Sequence, residues 1–196
     1  MTVVIDATGL TVFGADEWHL EKHGGKPRRT WRKLHLAVNP DTGAILAAAL
    51  TAADEGDASL VGPLLDQIDC PLAAVIADGA YDGEPVSQAI SRHSPEAAVI
   101  IPPRSTAVPG DRVETALTQR DRHILMIRER GRLGWQKAVG YGRRSHGEGT
   151  MLRYQLVIGR SLRAGTLPAQ QVEASVGCKV LNIMTNLGMP VSCKVT

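Results

Sequence analysis

The sequence predicts an α/β fold, a mixed sheet flanked by helices with a helical C-terminal part. Three observations carry this. Short β-branched apolar runs (VVID, AAVIAD, AAVII) recur along the first half of the chain, as buried strands do. Two alternating segments are joined by NPDTG, whose Asn, Pro, Asp and Gly favour a turn. The second half changes to helical periodicity.

Taken in order, VVIDATGL reads as a strand of about six residues. A polar, Gly-rich stretch follows (FGADEWHLEKHGGKPRRT), ending in a basic cluster of Lys26, Arg28, Arg29, Arg32 and Lys33. WRKLHLAV alternates, with Trp31, Leu34, Leu36 and Val38 as core positions, and AILAAALTA completes a hairpin with it. In DASLVGPLLDQI, Asp57 reads as an N-cap, and Leu60, Leu64, Leu65 and Ile68 stand at helical spacing. AAVIAD is the next strand, a helix starts near Asp82 or Gly83, and AAVII is a strand stopped by Pro102 and Pro103. Residues 104–118 read as a surface loop. From Gln119 the chain turns helical and basic, with Ile124, Leu125, Ile127 and Leu133 as its apolar positions. Leu167-Pro168 opens a last helix, in which Val172, Val176, Val180, Ile183 and Leu187 form an amphipathic stripe read as core packing. Strands, then helices alternating with strands, then helices, indicate a mixed sheet.

At 196 residues the chain reads as a single domain, 1–196. No apolar run approaches the roughly 18 residues of a membrane span, and Met1 leads straight into VVID without a signal-peptide pattern. A cytoplasmic protein with no membrane partner is expected. Cys70, Cys178 and Cys193 show no metal or disulfide spacing and read as reduced, mostly buried thiols. The net charge of +2 conceals an asymmetry: residues 1–119 hold 9 Lys/Arg against 16 Asp/Glu, while residues 120–163 hold 11 against 3. A basic stretch following an acidic half suggests a polyanion held over a cation site; a solvated helix face is the plainer reading.

Asp6 and Asp78 each follow a short apolar strand. An unpaired buried carboxylate is costly, and a hard divalent cation that takes oxygen ligands resolves that cost for several carboxylates at once. Strand ends and turn caps are the alternative for both aspartates. Tyr141, Arg144, Glu148 and Gln155 recur at steps that return to one helix face and form a polar stripe. Glu148 could share a metal with the aspartates while Tyr141 and Arg144 touch phosphates. A simple Arg144–Glu148 pair, worth about 0.2–0.5 kcal/mol, is the alternative.

Nearly the whole chain resembles the catalytic part of bacterial insertion-sequence DDE transposases of the insertion sequence five group. The segments that carry the resemblance are VVIDATGLTVFG, EWHLEKHG, TWRKLHLAVNPDTGAILAAALT, VIADGAYD, IIPPR and RSLRAGTL…GCKVLNIMTNLGMP. The family signature of Tyr, Arg, Glu and Lys reads here as Tyr141, Arg144, Glu148 and Gln155, so the lysine position departs. The resemblance implies a ribonuclease-H-like fold with Asp6, Asp78 and Glu148 as metal ligands, and Tyr141 and Arg144 holding the DNA backbone. It implies two Mg2+ ions, with Mn2+ able to substitute, about 3.5–4 Å apart, with Asp6 bridging them. Strand cleavage and strand transfer on double-stranded DNA would follow, in a synaptic homodimer associated with the nucleoid. Lys26, Arg28, Arg29, Arg32, Lys33, Arg143 and Arg144 are the expected DNA contacts; His146 is expected at the surface or on DNA.

Two departures refine these expectations. Gly147 and Gly149 flank Glu148, and each glycine costs a helix about 1 kcal/mol relative to Ala, so a frayed active-site helix is expected. Family members carry an N-terminal DNA-binding region ahead of the first aspartate, whereas only five residues precede Asp6 here. That implies a truncated copy or the downstream half of a split frame, with an upstream-frame partner. A ribonuclease-H-like nuclease that does not join strands, and an inactive DNA-binding remnant, are the alternative functions.

Overall fold

Asn39 shows how the first hairpin is made. Its Oδ1 accepts the Asp41 N–H at 2.8 Å, and Gly43, at φ 70°, donates its N–H to the Asn39 carbonyl at 2.8 Å. This closes β2 (Trp31–Val38) onto β3 (Ile45–Ala52). The computed structural model describes residues 1–13, 31–110 and 117–188. The other strands are β1 (Thr2–Val12), β4 (Ala74–Ile76), β5 (Ala98–Ile100) and the two-residue β6 (Ser161–Leu162). The helices are α1 (Val61–Leu65), α2 (Glu84–His93), α3 (Gln119–Val139), α4 (Arg144–Val157) and α5 (Leu167–Asn186).

The strand order is β3-β2-β1-β4-β5, with β6 also paired to β1. β1, β2 and β3 run antiparallel in sequence, whereas β4 and β5 run parallel to β1. This is the mixed sheet that the sequence predicts. Alternation along β1 divides the core in two. Val3 and Ile5 pack on one face with Leu64, Leu65, Val86 and Ile90, while Leu10 packs on the other with Met151, Tyr154, Cys178 and Leu181. Among the described residues no helix is long and apolar enough to cross a membrane.

Several expectations are corrected. β1 runs for 11 residues, longer than expected, because β2 pairs along one edge while β4 and β6 share the other. Gly56, not Asp57, occupies the cap position before the 3-10 turn Asp57–Leu60, and Asp57 accepts a hydrogen bond from Lys33 Nζ at 3.0 Å. Trp31, Leu125 and Leu133 are exposed, and so is Cys70; Cys178 is buried. Cys193 lies outside the described residues.

The largest correction concerns α5. Val172, Val176, Val180, Ile183 and Leu187 face outward, and the buried side is Gln170, Ala174, Gly177, Cys178 and Leu181. The reason is the open edge of β3. Asn182 accepts the Ile45 N–H at 2.8 Å and donates to the Ile45 carbonyl at 2.7 Å, and Gln171 donates to the Leu50 carbonyl at 3.1 Å. Covering an unpaired strand edge calls for polar groups, and that requirement overrides the apolar periodicity.

α3 also departs from a simple helix. His123 and Trp135 are 12 residues apart, about 18 Å along a straight helix, yet their ring centroids are 5.4 Å apart. The chain folds back at Gly131, whose φ of 70° and ψ of 169° break the helix. Trp135, fully buried, was not legible as core because no apolar period surrounds it.

Candidate active site

The sheet register brings the two aspartates together. Val4 of β1 stands opposite Ile76 of β4 in a parallel pairing, so two residues on in each strand Asp6 comes beside Asp78. Two-residue alternation puts both side chains on the face of Val4 and Ile76. β4 ends just before Asp78, and β6 joins β1 only at Thr11. The edge of β1 between them is open, at the carboxyl ends of β1 and β4, where α/β sheets bind ligands.

Backbone amides orient both carboxylates. Asp6 Oδ1 accepts the Ala7 N–H at 2.9 Å, and Asp78 Oδ1 accepts the Ala80 N–H at 2.8 Å as the cap of the 3-10 turn Gly79–Tyr81. The turn-cap reading of Asp78 is therefore correct for one of its oxygens. In each residue the other oxygen, Oδ2, is left to face the site.

Glu148 arrives on α4. Its helix is continuous from Arg144 to Val157, so the expected fraying at the glycines does not occur. Gly147 is buried against Val4, and its missing side chain lets α4 lie close on β1. Gln155 Nε2 donates to Thr8 Oγ1 at 2.7 Å, fastening the same helix two residues beyond Asp6. The lysine position of the signature is thus a structural tie here.

The three carboxylates meet on one cation, Arg144. Its Nη1 lies 2.6 Å from Glu148 Oε1, and its Nη2 lies 3.3 Å from Asp6 Oδ2 and 3.7 Å from Asp78 Oδ2. Burial raises the Asp6 pKa, and the Ala7 N–H and Arg144 oppose that only in part. Burial works against the Arg144 charge, but Asp6, Glu148 and Asp78 outweigh it and hold the guanidinium pKa above its ordinary value. Arg144 Nε is buried without an acceptor.

Among the described residues no three His, Cys, Asp or Glu side chains stand close enough to hold one metal ion in this arrangement. The donor set nonetheless suits a hard cation. It is made of carboxylate oxygens, two of them pre-aimed by backbone amides, and it already surrounds a positive charge.

Tyr141 lies in a 3-10 turn ahead of α4, not within the helix, and its ring packs on Trp135 with centroids 5.3 Å apart. Burial raises its pKa. Arg143 donates to Thr2 Oγ1 at 3.1 Å and is paired with Asp41. Arg32 donates to Gln170 Oε1 at 2.8 Å, and Lys33 is paired with Asp57. These three expected DNA contacts therefore have internal partners. Lys26, Arg28 and Arg29 lie outside the described residues. His146 is exposed, as expected.

The family model described as a transposase DDE domain matches residues 1–186. The chain belongs to that family. The fold of this DDE domain is also similar to that of piggyBac transposase, solved by cryo-EM as a synaptic complex with hairpin DNA. The TM-score is 0.53 at 7% identity, over 94% of this chain and 46% of the other. This DDE domain therefore spans less than half of the piggyBac chain. At that identity the likeness concerns the fold alone.

Proposed function

We propose that this DDE domain catalyses metal-dependent phosphodiester cleavage and strand transfer on DNA, as a transposase of the insertion sequence five type. The observation that carries the reading is the convergence of Asp6, Asp78 and Glu148, from β1, the end of β4 and α4, upon a single positive charge. Family membership supports DNA as the substrate class.

Asp6, Asp78 and Glu148 would hold Mg2+, with Mn2+ able to replace it. When bound, the metal supplies charge neutralisation at phosphorus and a lowered pKa for the attacking water or 3′-hydroxyl. The protein's own part is positional. The Ala7 and Ala80 amides fix the aspartates, and Gln155 and Gly147 fix α4 on β1. Arg144 supplies a planar guanidinium able to take a phosphate in two hydrogen bonds. Further out, Arg122, Arg128, Arg132 and Lys137 are exposed on α3, and no carboxylate is paired with any of them among the described residues. They suit a phosphate backbone.

The test uses supercoiled plasmid and a duplex with a pre-cut 3′-hydroxyl. Nicking and strand joining that require Mg2+ or Mn2+, and that Asp6→Asn abolishes while duplex binding persists, support the reading. Nicking without joining would leave a nuclease in its place. Metal-independent cleavage, or cleavage unaffected by Asp6→Asn, would refute it.

A further inference from the structure

We infer that Arg144 is a built-in competitor of the metal, so that DNA and the divalent cation load this site together. The inference rests on the metal reading above and adds to it an order imposed by one side chain. The Oδ2 atoms of Asp6 and Asp78 are the carboxylate oxygens that the backbone leaves for a metal, and both face Arg144 Nη2, at 3.3 and 3.7 Å. Glu148 Oε1 is held by Nη1 of the same guanidinium at 2.6 Å. A cation that needs these oxygens and a guanidinium that occupies them cannot both be satisfied. The three acids are spread around the fork of the arginine, Glu148 at Nη1 and the two aspartates at Nη2.

The arginine also has somewhere to go. Its Nε–H is buried and without an acceptor, so the guanidinium is incompletely satisfied among the carboxylates. A phosphate can take Nε–H and an Nη–H together. Arg144 is the first residue of α4, where a long side chain can swing while the helix stays fixed by Gly147 and Gln155. A DNA phosphate entering the open edge of β1 would draw the guanidinium off the acids and free their oxygens. By linkage, metal then tightens DNA binding by the same factor that DNA tightens metal binding. Off DNA, the site would stay poorly loaded and idle.

Mn2+ affinity, followed by electron paramagnetic resonance with and without a 30-base-pair duplex, tests this. Asp6→Asn protein and duplex alone supply the background. For the unaltered chain, duplex DNA is expected to tighten Mn2+ binding by about tenfold, within the usual range of coupling between sites. Arg144→Ala is expected to bind Mn2+ about tenfold tighter than the unaltered chain without DNA, and to lose most of the DNA effect. A structural role alone would weaken metal binding in that variant. The Mg2+-induced rise in Tm is a second readout and should be larger in Arg144→Gln than in the unaltered chain. Unchanged or weaker Mn2+ binding in Arg144→Ala, or no DNA effect in the unaltered chain, overturns the competition while leaving the metal site intact. Absence of any Mn2+ binding above the Asp6→Asn background, with or without DNA, overturns both.

Discussion

Gly147 of α4 lies so close to Val4 of β1 that a Cβ added at 147 would stand 2.5 Å from Val4 Cγ1. The neighbouring Gly149 meets nothing within 4 Å. Two glycines that flank Glu148 therefore do different things. Gly147 sets the distance between the helix that carries the glutamate and the strand that carries Asp6, whereas a side chain at Gly149 would meet open space.

Gly147→Ala should cost about 1–3 kcal/mol through overpacking and should displace Glu148. Val4→Ala in the same chain should recover part of that loss. Gly149→Ala should leave packing unchanged and stabilise by up to about 1 kcal/mol. Urea denaturation of the three variants beside the unaltered chain checks this, and equal effects at 147 and 149 would contradict it.

The outward stripe of α5 gives a second prediction. Val176→Lys and Ile183→Lys should each change stability by no more than about 0.5 kcal/mol, as surface substitutions do, because both positions are more than half exposed. Asn182→Ala should instead cost about 1–3 kcal/mol by leaving Ile45 peptide groups unsatisfied at the edge of β3. Denaturation midpoints decide it. Large losses in the lysine variants would return the stripe to the core.

The sequence made the architecture legible where local chemistry and tertiary need agree. NPDTG closes its hairpin, Leu60, Leu64, Leu65 and Ile68 are buried, and Pro168 starts α5. Asp6 and Asp78 stood out because a carboxylate ends an apolar run, and Glu148 because of its spacing from Tyr141 and Arg144. What stayed illegible depends on neighbours distant in sequence. The edge of β3 turns α5 over, Gly131 folds α3 back upon itself, and Val4 explains Gly147. No periodicity within a segment reports such partners. Arg144 was read as facing phosphate, and its position among the acids depends on β1, β4 and α4 meeting.

A pH dependence follows from Asp82, whose side chain is only 4% exposed and which pairs with Arg120 Nε at 2.7 Å. Burial raises the carboxyl pKa, but the Arg120 side chain and the Arg104 N–H outweigh it, and the net pKa is lowered. A depressed folded-state value means stability that is present above the unfolded carboxyl value, near 3.9, and lost as pH falls toward the folded one. Asp82→Asn should therefore lose about 1.5–3 kcal/mol at pH 7 and show a shallower decline in stability below pH about 4. Denaturation midpoints at pH 3, 4 and 7 measure this. A parallel decline in both proteins would show that Asp82 is not the group responsible.

The location of the metal is the most direct test of the proposed chemistry. Anomalous scattering from crystals of the duplex-bound protein grown with Mn2+ should show a peak bounded by Asp6 Oδ2, Asp78 Oδ2 and a Glu148 carboxylate oxygen. The Arg144 guanidinium should have moved from between them onto a phosphate. A peak elsewhere, or ordered DNA with Arg144 still seated among the three carboxylates and no Mn2+ beside them, would contradict the assignment.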